Sequence, residues 1–228
     1  MTISQMQVTR RNFLTTLSAS SLVLMGKVGL GQEAGLLDAS LRSADDFAPD
    51  FFVAIAPDGG VTILVHRSEM GTGIRTSLPR IVADELEADW NRVVIQQAIG
   101  DRRLGDQNTD GSNSIRLFFK RMRVAGATAR TMLEQAAAKK WNVDASQCYA
   151  ENHLVKQKGS DRSLGFGELV SDARHLPIPD ESILKFKPSR QWRYIGKDVP
   201  ITDQDDIVTG KAVFGIDARD RSPSCIGW

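Results

Sequence analysis

Cysteine and histidine are scarce in this chain, and their scarcity excludes several kinds of site. The 228 residues include two cysteines, Cys148 and Cys225, and three histidines, His66, His153 and His175. Two cysteines so far apart form neither a disulfide framework nor a cysteine-rich metal site. The histidines lack the short spacing that puts two metal ligands on one face of a helix. We therefore expect no metal site built from protein side chains.

An excess of charge of either sign is also lacking. The chain has 29 Lys and Arg residues against 28 Asp and Glu residues, a net charge of +1. This balance gives no overall field that would attract nucleic acid or a membrane surface. We also expect no transmembrane span. The 41% hydrophobic and 25% charged content is that of an ordinary globular chain.

The first residues carry a pattern typical of export. The segment Thr9-Arg10-Arg11-Asn12-Phe13-Leu14 places paired arginines before an apolar stretch over residues 13–25. This stretch is too short to cross a bilayer and has the length of a signal-peptide core. We predict a twin-arginine signal over residues 1–32, containing Arg10 and Arg11, with the twin-arginine translocase as a partner and a periplasmic location. The alternative is a disordered arm with an accidental arginine pair.

The next part of the chain predicts an α+β fold: a small mixed sheet packed on two helices, one of them long. Strands are indicated over residues 51–56, 61–66 and 93–97. Turn residues over 57–60 predict a tight hairpin between the first two strands. Apolar residues at three- and four-residue steps predict helices near 79–88 and over 115–141.

The first predicted helix has a recognisable start. Thr76 or Ser77 provides a hydroxyl N-cap, and Pro79 falls in the first turn, where its missing N–H is not needed. The exposed face of this helix is predicted to comprise Asp84, Glu85 and Glu87.

Shorter elements follow the long helix. They are a hairpin formed by residues 147–150 and 154–156, a short helix over 166–174, an extended proline-containing linker over 177–204, and a strand at 212–216. The predicted divisions of the chain are the signal over 1–32, a connector over 33–50, a main domain over 51–176, the linker, the start of a new unit over 205–218, and a tail over 219–228.

Two glycine turns, each between a strand and a helix, are the candidate binding site. Glycine permits close backbone approach, and a helix N-terminus offers free N–H groups and a positive dipole to an anion. Together the turns could hold one phosphorylated ligand. The alternative is that they are ordinary turns and caps. The candidate binding residues are Gly71, Thr72, Gly73, Thr76, Asp110, Gly111, Ser112 and Ser114.

Two further patterns have a plain structural interpretation. The basic residues on the long helix could dock a partner or a phosphate, but we favour a solvated face. They are Arg116, Lys120, Arg123 and Arg130. The segment 165–168 contains a Gly-x-Gly-Glu sequence, in which Glu168 is better explained as a first-turn acid that favours the helix dipole than as a catalytic base.

An ordered set of motifs resembles the molybdenum hydroxylases of the xanthine oxidase class. The branch it resembles contains the large (beta) subunit of isoquinoline 1-oxidoreductase and related aldehyde-oxidising enzymes with a molybdopterin-binding subunit. The resemblance covers about residues 8–218. The motifs lie at residues 58–62, 69–76, 82–90, 108–116, 194–197 and 206–217. By this resemblance Gly71, Thr72 and Gly73 correspond to the family's Gly-Gln-Gly, which approaches the pterin cofactor. Residues 110–112 and Ser114 correspond to its second cofactor-binding loop. Thr72 replaces the glutamine, and its hydroxyl is shorter than a glutamine amide.

The resemblance implies a fold, a cofactor and a partner. Residues 51–176 would be part of a molybdopterin-binding domain, and residues 205–218 the truncated start of an α/β hammerhead domain. The implied cofactor is a molybdenum–pterin group in its molybdopterin dinucleotide form, and the implied partner is a [2Fe–2S] small subunit. The implied reaction is hydroxylation of an aldehyde or N-heteroaromatic compound. The family's catalytic glutamate region lies far downstream, so no catalytic residue is assigned and we expect the chain alone to be inactive.

The last ten residues do not resemble the family. We hypothesise that 219–228 is the tail of a frameshifted or truncated gene product, which an open frame resuming the family sequence past codon 219 would support. Two other functions stay open: a small exported α+β module that binds an anion or partner without redox chemistry, and a non-functional remnant.

Overall fold

The computed structural model describes residues 46–217. The signal with Arg10 and Arg11, the connector up to residue 45, the tail over 219–228 and Cys225 lie outside the described residues, so the predictions made for them stay predictions. Within residues 46–217 there is no helix with the length and apolar character needed to cross a membrane.

The described residues form two sheets. The first contains β1 (Phe47–Asp50), β2 (Val53–Ile55), β3 (Val61–Val65) and β4 (Val93–Gln97) in that order, and the second contains β5 (Cys148–Glu151), β6 (Leu154–Gln157) and β7 (Ser163–Gly165). The helices are α1 (Ile74–Leu86), α2 (Asn113–Trp141), α3 (Phe166–Ala173) and α4 (Gln204–Val208). Single 3₁₀ turns lie at Trp90–Arg92, Arg102–Leu104, Ala145–Gln147, Glu181–Ile183, Ser189–Gln191 and Gly215–Asp217.

The first sheet is mixed, as predicted. Strands β1, β2 and β3 pair antiparallel, whereas β3 and β4 pair parallel, from Val61 opposite Val93 to Val65 opposite Gln97. A parallel pair needs a crossover connection, and α1 provides it. The carboxyl ends of β3 and β4 consequently lie at the same edge of the sheet, and the chain segments that leave them begin side by side.

Helices α1 and α2 pack directly on each other and cover this sheet. Fully buried side chains from the sheet and both helices, including Ile63, Leu78 and Leu133, form one core. The two helices approach closely at Gly126, where an added Cβ would lie 2.6 Å from the Val82 carbonyl oxygen. The predicted α+β class, with a small mixed sheet on one short and one long helix, is confirmed.

Several local predictions are confirmed and others are wrong. The tight hairpin over 57–60, the long helix, the hairpin that follows it and the helix at Phe166 are present. The strand predicted at 212–216 is wrong, because residues 211–214 are irregular and a 3₁₀ turn follows. Helix α4 and strand β7 were not predicted.

The first predicted strand is shorter than expected, and residues assigned to the connector form β1. The Asp50 carboxylate accepts a hydrogen bond from the Phe52 backbone N–H at 3.0 Å, which turns the chain between β1 and β2. The predicted N-cap of α1 is also wrong. The cap is Gly73, with φ of 73°, so Thr76 and Ser77 lie inside the first turns and Pro79 lies further along the helix.

The exposed face predicted for α1 is wrong at Asp84, which is fully buried. Its carboxylate accepts a hydrogen bond from Lys187 Nζ at 2.8 Å. It also accepts from the backbone N–H groups of residues 193–195, at 2.9 to 3.1 Å. Burial raises the pKa of Asp84, but the Lys187 ammonium and these N–H groups outweigh it and hold the pKa below its usual range. The segment predicted as a linker is therefore fixed to α1.

Glu85 is also fully buried, and it corrects the interpretation of the basic residues on α2. Its carboxylate pairs with Arg123 Nε at 2.9 Å and Arg130 NH1 at 3.1 Å, and accepts from the Lys187 backbone N–H at 2.8 Å. Arg123 and Arg130 therefore do not form a solvated face, whereas Arg116 is exposed as predicted. Together Asp84, Glu85 and their partners form the buried acidic junction between α1, α2 and residues 185–195.

Candidate functional site

The first glycine turn connects the end of β3 to α1. Gly71 has φ of 91° and Gly73 has φ of 73°, backbone conformations that glycine adopts without strain. Gly71 and Thr72 are exposed. No atom lies within 4 Å of the position that a Gly71 side chain would occupy, so this face of the turn is open.

The N–H groups of this turn are already bound to an internal carboxylate. Glu69 Oε1 accepts from the backbone N–H groups of Met70 at 3.1 Å, Gly71 at 2.7 Å and Gly73 at 3.0 Å. Glu69 Oε2 accepts from Arg75 N–H at 3.0 Å. Burial raises the pKa of Glu69, but these backbone hydrogen bonds outweigh it and lower the pKa below its usual range. The first turn is thus an anion site that its own chain fills.

The Thr76 hydroxyl is engaged within the protein. It accepts from the Thr202 backbone N–H at 2.7 Å and lies 3.1 Å from the Thr202 hydroxyl. The neighbouring Arg75 pairs with Asp203 at 2.6 Å. These contacts hold residues 201–203 against the first turn of α1. Thr76 therefore has a role in packing, and the prediction that it also binds a ligand stays a prediction.

The second glycine turn connects the loop after β4 to α2. Gly111 and Ser112 have φ of 51° and 56°, and the Asp110 carbonyl accepts from Asn113 N–H at 3.0 Å. Ser112 is the N-cap but makes no side-chain hydrogen bond to the helix, and the first turn of α2 contains no acidic residue. Asp110, Gly111 and Ser112 are exposed. The N-terminus of this helix is therefore accessible and is not filled by a side chain.

The two turns lie at one edge of the sheet and are joined by direct contacts. Thr109 Oγ1 donates to the Ser68 carbonyl at 2.7 Å. Arg67 Nε donates to Ser114 Oγ at 2.9 Å, and Arg67 NH1 donates to the Asp106 carbonyl at 2.6 Å and pairs with its carboxylate at 3.0 Å. These contacts follow from the parallel pairing of β3 and β4, whose carboxyl ends start both segments. Ser114 is thereby buried at the base of α2.

Two buried basic side chains lie beneath the turns. The Arg67 side chain is fully buried, and its partner Asp106 is half exposed. His66 packs between the rings of Phe52 and Phe118. Burial, followed by the Arg67 guanidinium, lowers the pKa of His66 to about 4, so the imidazole is neutral near pH 7. Arg67 therefore carries a buried positive charge at this edge of the sheet, and the Asp106 carboxylate pairs with it.

A cleft opens beside the first turn. Its volume is about 610 Å³, and its walls include Met70 and Gly71 on one side and Ile201, Val213 and Phe214 on the other. The wall residues Met70, Val213 and Phe214 are exposed apolar side chains. The charged groups of the cleft come from Glu69, Arg75, Asp203 and Asp206.

Two remaining sequence patterns are the Gly-x-Gly-Glu segment at 165–168 and the distribution of potential metal ligands. Glu168 Oε2 accepts from the Gly165 backbone N–H at 2.6 Å, as expected of an acid in the first turn of α3. No group of three or more His, Cys, Asp or Glu side chains within residues 46–217 could hold a metal ion.

Sequence analysis missed Arg67 and Glu69 as site residues. A glutamate immediately before two glycines that open a helix is a signal for Glu69, because a carboxylate there can reach the free N–H groups. No comparable signal exists for Arg67, since its partners lie 39 and 47 residues away in sequence.

Residues 24–203 match a family described as the molybdopterin cofactor-binding domain. The chain is 33% identical over 220 residues to the membrane-bound aldehyde dehydrogenase (pyrroloquinoline-quinone) of Gluconacetobacter polyoxogenes, covering 94% of this chain and 28% of that protein. It is 32% identical over 254 residues to the isoquinoline 1-oxidoreductase subunit beta of Brevundimonas diminuta, covering 93% and 32%. The chain therefore spans about a third or less of the length of these relatives.

Solved structures also align with part of the chain. Quinoline 2-oxidoreductase from Pseudomonas putida 86 is 26% identical, with a TM-score of 0.44, over 57% of this chain and 17% of that chain. The CO dehydrogenase of Oligotropha carboxidovorans is 21% identical, with a TM-score of 0.47, over 55% and 16%.

Proposed function

We infer the function of this chain from its family: it belongs to the molybdopterin cofactor-binding domain family, and we propose that it forms the N-terminal part of a molybdenum hydroxylase large subunit. The complete protein would oxidise an aldehyde or an N-heteroaromatic compound. Those substrate classes are suggested by the names of its relatives, an aldehyde dehydrogenase and an isoquinoline oxidoreductase.

The open N-terminus of α2 is the observation that supports this proposal best. A helix of 29 residues ends there in N–H groups without a side-chain cap, beneath an exposed turn with two positive φ angles. The combined dipole and N–H groups favour a phosphate or pyrophosphate group. Arg67, which is paired with Asp106, donates to Ser114 Oγ in the first turn of this helix and thereby holds the turn in place. These residues fit the anionic part of a pterin cofactor.

The first turn fits the same group in a different way. Its N–H groups are bound to Glu69, so they are not available to an external anion. Its open face at Gly71 and the exposed Thr72 hydroxyl remain accessible. We propose that this turn contributes surface and one hydroxyl, while Gly111 and Ser112 contribute N–H groups.

A bound molybdenum–pterin group would supply the oxygen-transfer and electron-transfer chemistry of hydroxylation. The residues of this chain would bind and orient that group. None of the residues in 46–217 is assigned a proton-transfer step, and we expect the 228-residue chain alone not to turn over aldehydes. The dinucleotide form of the pterin and the [2Fe–2S] small subunit, which would accept the electrons, belong to the same proposal.

A pair of substitutions at Ser112 tests the binding site. Ser112→Asp would supply a carboxylate to the N-terminus of α2, as Glu69 does for α1, and aspartate tolerates positive φ. We expect it to raise thermal stability slightly and to weaken pyrophosphate binding at least ~10-fold, since charge repulsion and loss of free N–H groups act together.

Ser112→Asn is the matched control, because asparagine has the same shape without the charge. Isothermal titration with inorganic pyrophosphate should find binding to the wild type and to Ser112→Asn, and little to Ser112→Asp. Equal binding by all three proteins, or binding by none, would rule out the second turn as the anion site.

Export is a separate proposal supported by the Arg10 and Arg11 pair. Residues 1–32, fused to a reporter that is active only when exported in a folded state, should carry it to the periplasm through the twin-arginine translocase. Replacing both arginines by lysine should keep the reporter in the cytoplasm. Export that is indifferent to this change would contradict the proposal.

A second candidate function is a small exported module that binds an anion or partner without redox chemistry. The observation that favours it is the self-contained first turn, whose N–H groups are satisfied by Glu69 without any ligand. Molybdenum analysis of the protein purified from its native host separates the two functions. Stoichiometric molybdenum supports the first, and its absence from otherwise intact protein supports the second.

A further inference from the structure

We propose that Glu69 is the built-in anion of the first glycine turn: a positioning residue whose carboxylate occupies a nest of four backbone N–H groups and thereby keeps external anions out. One carboxylate accepts from Met70, Gly71, Gly73 and Arg75, at distances between 2.7 and 3.1 Å. This inference concerns how the proposed site is held. It rests on the proposed function only in taking the first glycine turn to be part of the cofactor site.

The geometry is that of an anion site rather than of an ion pair. The four donors are main-chain groups, and three of them converge on the single oxygen Oε1. The two arginines nearest to Glu69 in sequence have other partners: Arg67 pairs with Asp106, and Arg75 pairs with Asp203. Successive N–H groups in turns with positive φ form concave anion-binding nests, and Gly71 and Gly73 have that conformation.

The carboxylate also explains where α1 begins. Residues 73–75 start the helix ahead of the predicted hydroxyl cap, because Glu69 satisfies N–H groups that would otherwise lack partners at the helix end. The helix cap residue, Gly73, has no side chain to do this itself. Glu69 therefore acts on the ligand surface through Gly71 and Gly73 rather than by contacting a ligand.

A direct consequence is that the two turns differ in whether their backbone N–H groups are free to bind an anion. The first turn cannot offer its N–H groups to a phosphate while Glu69 occupies them, whereas the N-terminus of α2 has no such occupant. An external anion is therefore directed to residues 111–115. Removing the Glu69 carboxylate should vacate a second nest that accepts a small carboxylate or phosphate from solution.

Chemical rescue tests the inference in the full 228-residue chain. Glu69→Ala should lower Tm by about 4–8 °C, because up to four N–H groups lose their acceptor. Sodium acetate should restore most of that loss in a saturable manner, and sodium chloride at the same ionic strength should not. The wild type should show no acetate-specific response.

Glu168→Ala is the matched control, since Glu168 accepts a single N–H at the start of α3 and leaves no nest behind. Its Tm should be insensitive to acetate. Glu69→Gln provides a second measurement if the alanine variant does not fold: amide hydrogen exchange at residues 71, 73 and 75 should accelerate, because an amide offers a donor where Oε2 accepted.

Each outcome of these measurements either supports the inference or overturns it. Acetate-specific recovery of Glu69→Ala supports the built-in anion. An unchanged Tm, or equal recovery with chloride, overturns it and leaves the proposed cofactor site untouched, since that site is tested by pyrophosphate binding at Ser112. Acetate-dependent stabilisation of the wild type would also overturn it, because it would mean that external anions displace Glu69.

Discussion

The two ends of α1 both use carboxylates to hold backbone N–H groups, but in opposite surroundings. At the C-terminal end, Asp84 and Glu85 are fully buried and paired with cations from α2 and from residue 187. At the N-terminal end, Glu69 is partly exposed and is held by backbone N–H groups. The comparison teaches that the same side-chain chemistry fixes tertiary structure at one end and shapes an accessible surface at the other.

The largest expected effect comes from breaking the buried acidic junction. Asp84→Ala leaves the buried Lys187 with one carboxylate partner, Glu87, in place of two, and leaves the backbone N–H groups of residues 193–195 without an acceptor. We expect the free energy of unfolding to fall by about 3–5 kcal/mol, measured by urea denaturation.

The control is Glu151→Ala, which removes an exposed pair with Lys156 and should lower the free energy of unfolding far less than Asp84→Ala does. A loss for Asp84→Ala no greater than that of the control would contradict the assignment of the junction as the main fixed point of residues 185–195.

As the pH falls, the free energy of unfolding should decrease first through His66, at the sheet edge that carries the turns, and only later through Asp84 in the buried acidic junction. The folded protein keeps His66 neutral down to about pH 4, whereas the unfolded chain takes up a proton near the ordinary histidine pKa of 6.5. His66 should therefore reduce the free energy of unfolding by on the order of 3 kcal/mol as the pH drops from 6.5 to about 4, and His153, whose pKa is also lowered by burial, should add to the loss. The contribution of Asp84, whose folded pKa is lowered, is lost only as the pH falls below 3.8.

His66→Phe keeps an aromatic ring between Phe52 and Phe118 and removes the titrating group. Urea denaturation from pH 7 to pH 4 should show that the free energy of unfolding of the wild type falls more steeply with decreasing pH than that of the variant. His175→Gln, at an exposed position, should follow the wild type. Parallel curves for wild type and His66→Phe would contradict the burial of a neutral imidazole.

A smaller effect is expected where α1 meets α2. Gly126→Ala places a Cβ 2.6 Å from the Val82 carbonyl oxygen and 2.9 Å from Glu85 Cβ, so the helices must separate. Such overpacking costs about 1–3 kcal/mol, measurable as a lower Tm. Gly100→Ala has open space around the new methyl group and should stay within ~0.5 kcal/mol of wild type.

The smallest expected effect lies at the second turn. Asp110 is exposed and adjacent to the N-terminus of α2, where its charge opposes a bound anion. Asp110→Asn should raise the affinity for pyrophosphate by about 2- to 5-fold, in titration calorimetry at low salt. Asp161→Asn, which removes an exposed charge between β6 and β7, should leave the affinity unchanged.

The sequence was sufficient for the parts of the fold that local pattern determines. Apolar spacing predicted α2 to within two residues of its start, and the turn residues 57–60 predicted the first hairpin. It also identified two glycine turns that the structure brings to one edge of the sheet. Sequence analysis failed where a partner distant in sequence determines whether a residue is buried. Asp84 and Glu85 have the helical position and charge of exposed residues, and only Lys187, Arg123 and Arg130 make their burial favourable.

The same limit applies to the site. Glycine spacing predicted both turns, but the occupancy of the first by Glu69 depends on how the chain folds back over four to six residues. The partners of Arg67 depend on the parallel pairing of β3 with β4. Sequence pattern therefore predicted the two glycine turns, and the structure distinguished the turn filled by Glu69 from the open one.

The measurement that tests this account most directly is a backbone amide NMR titration of the ¹⁵N-labelled chain with inorganic pyrophosphate. The account predicts saturable shifts at the amides of residues 111–115 and none of comparable size at residues 70–75, where Glu69 holds the N–H groups. Shifts confined to residues 70–75, or spread evenly over both turns, would contradict it.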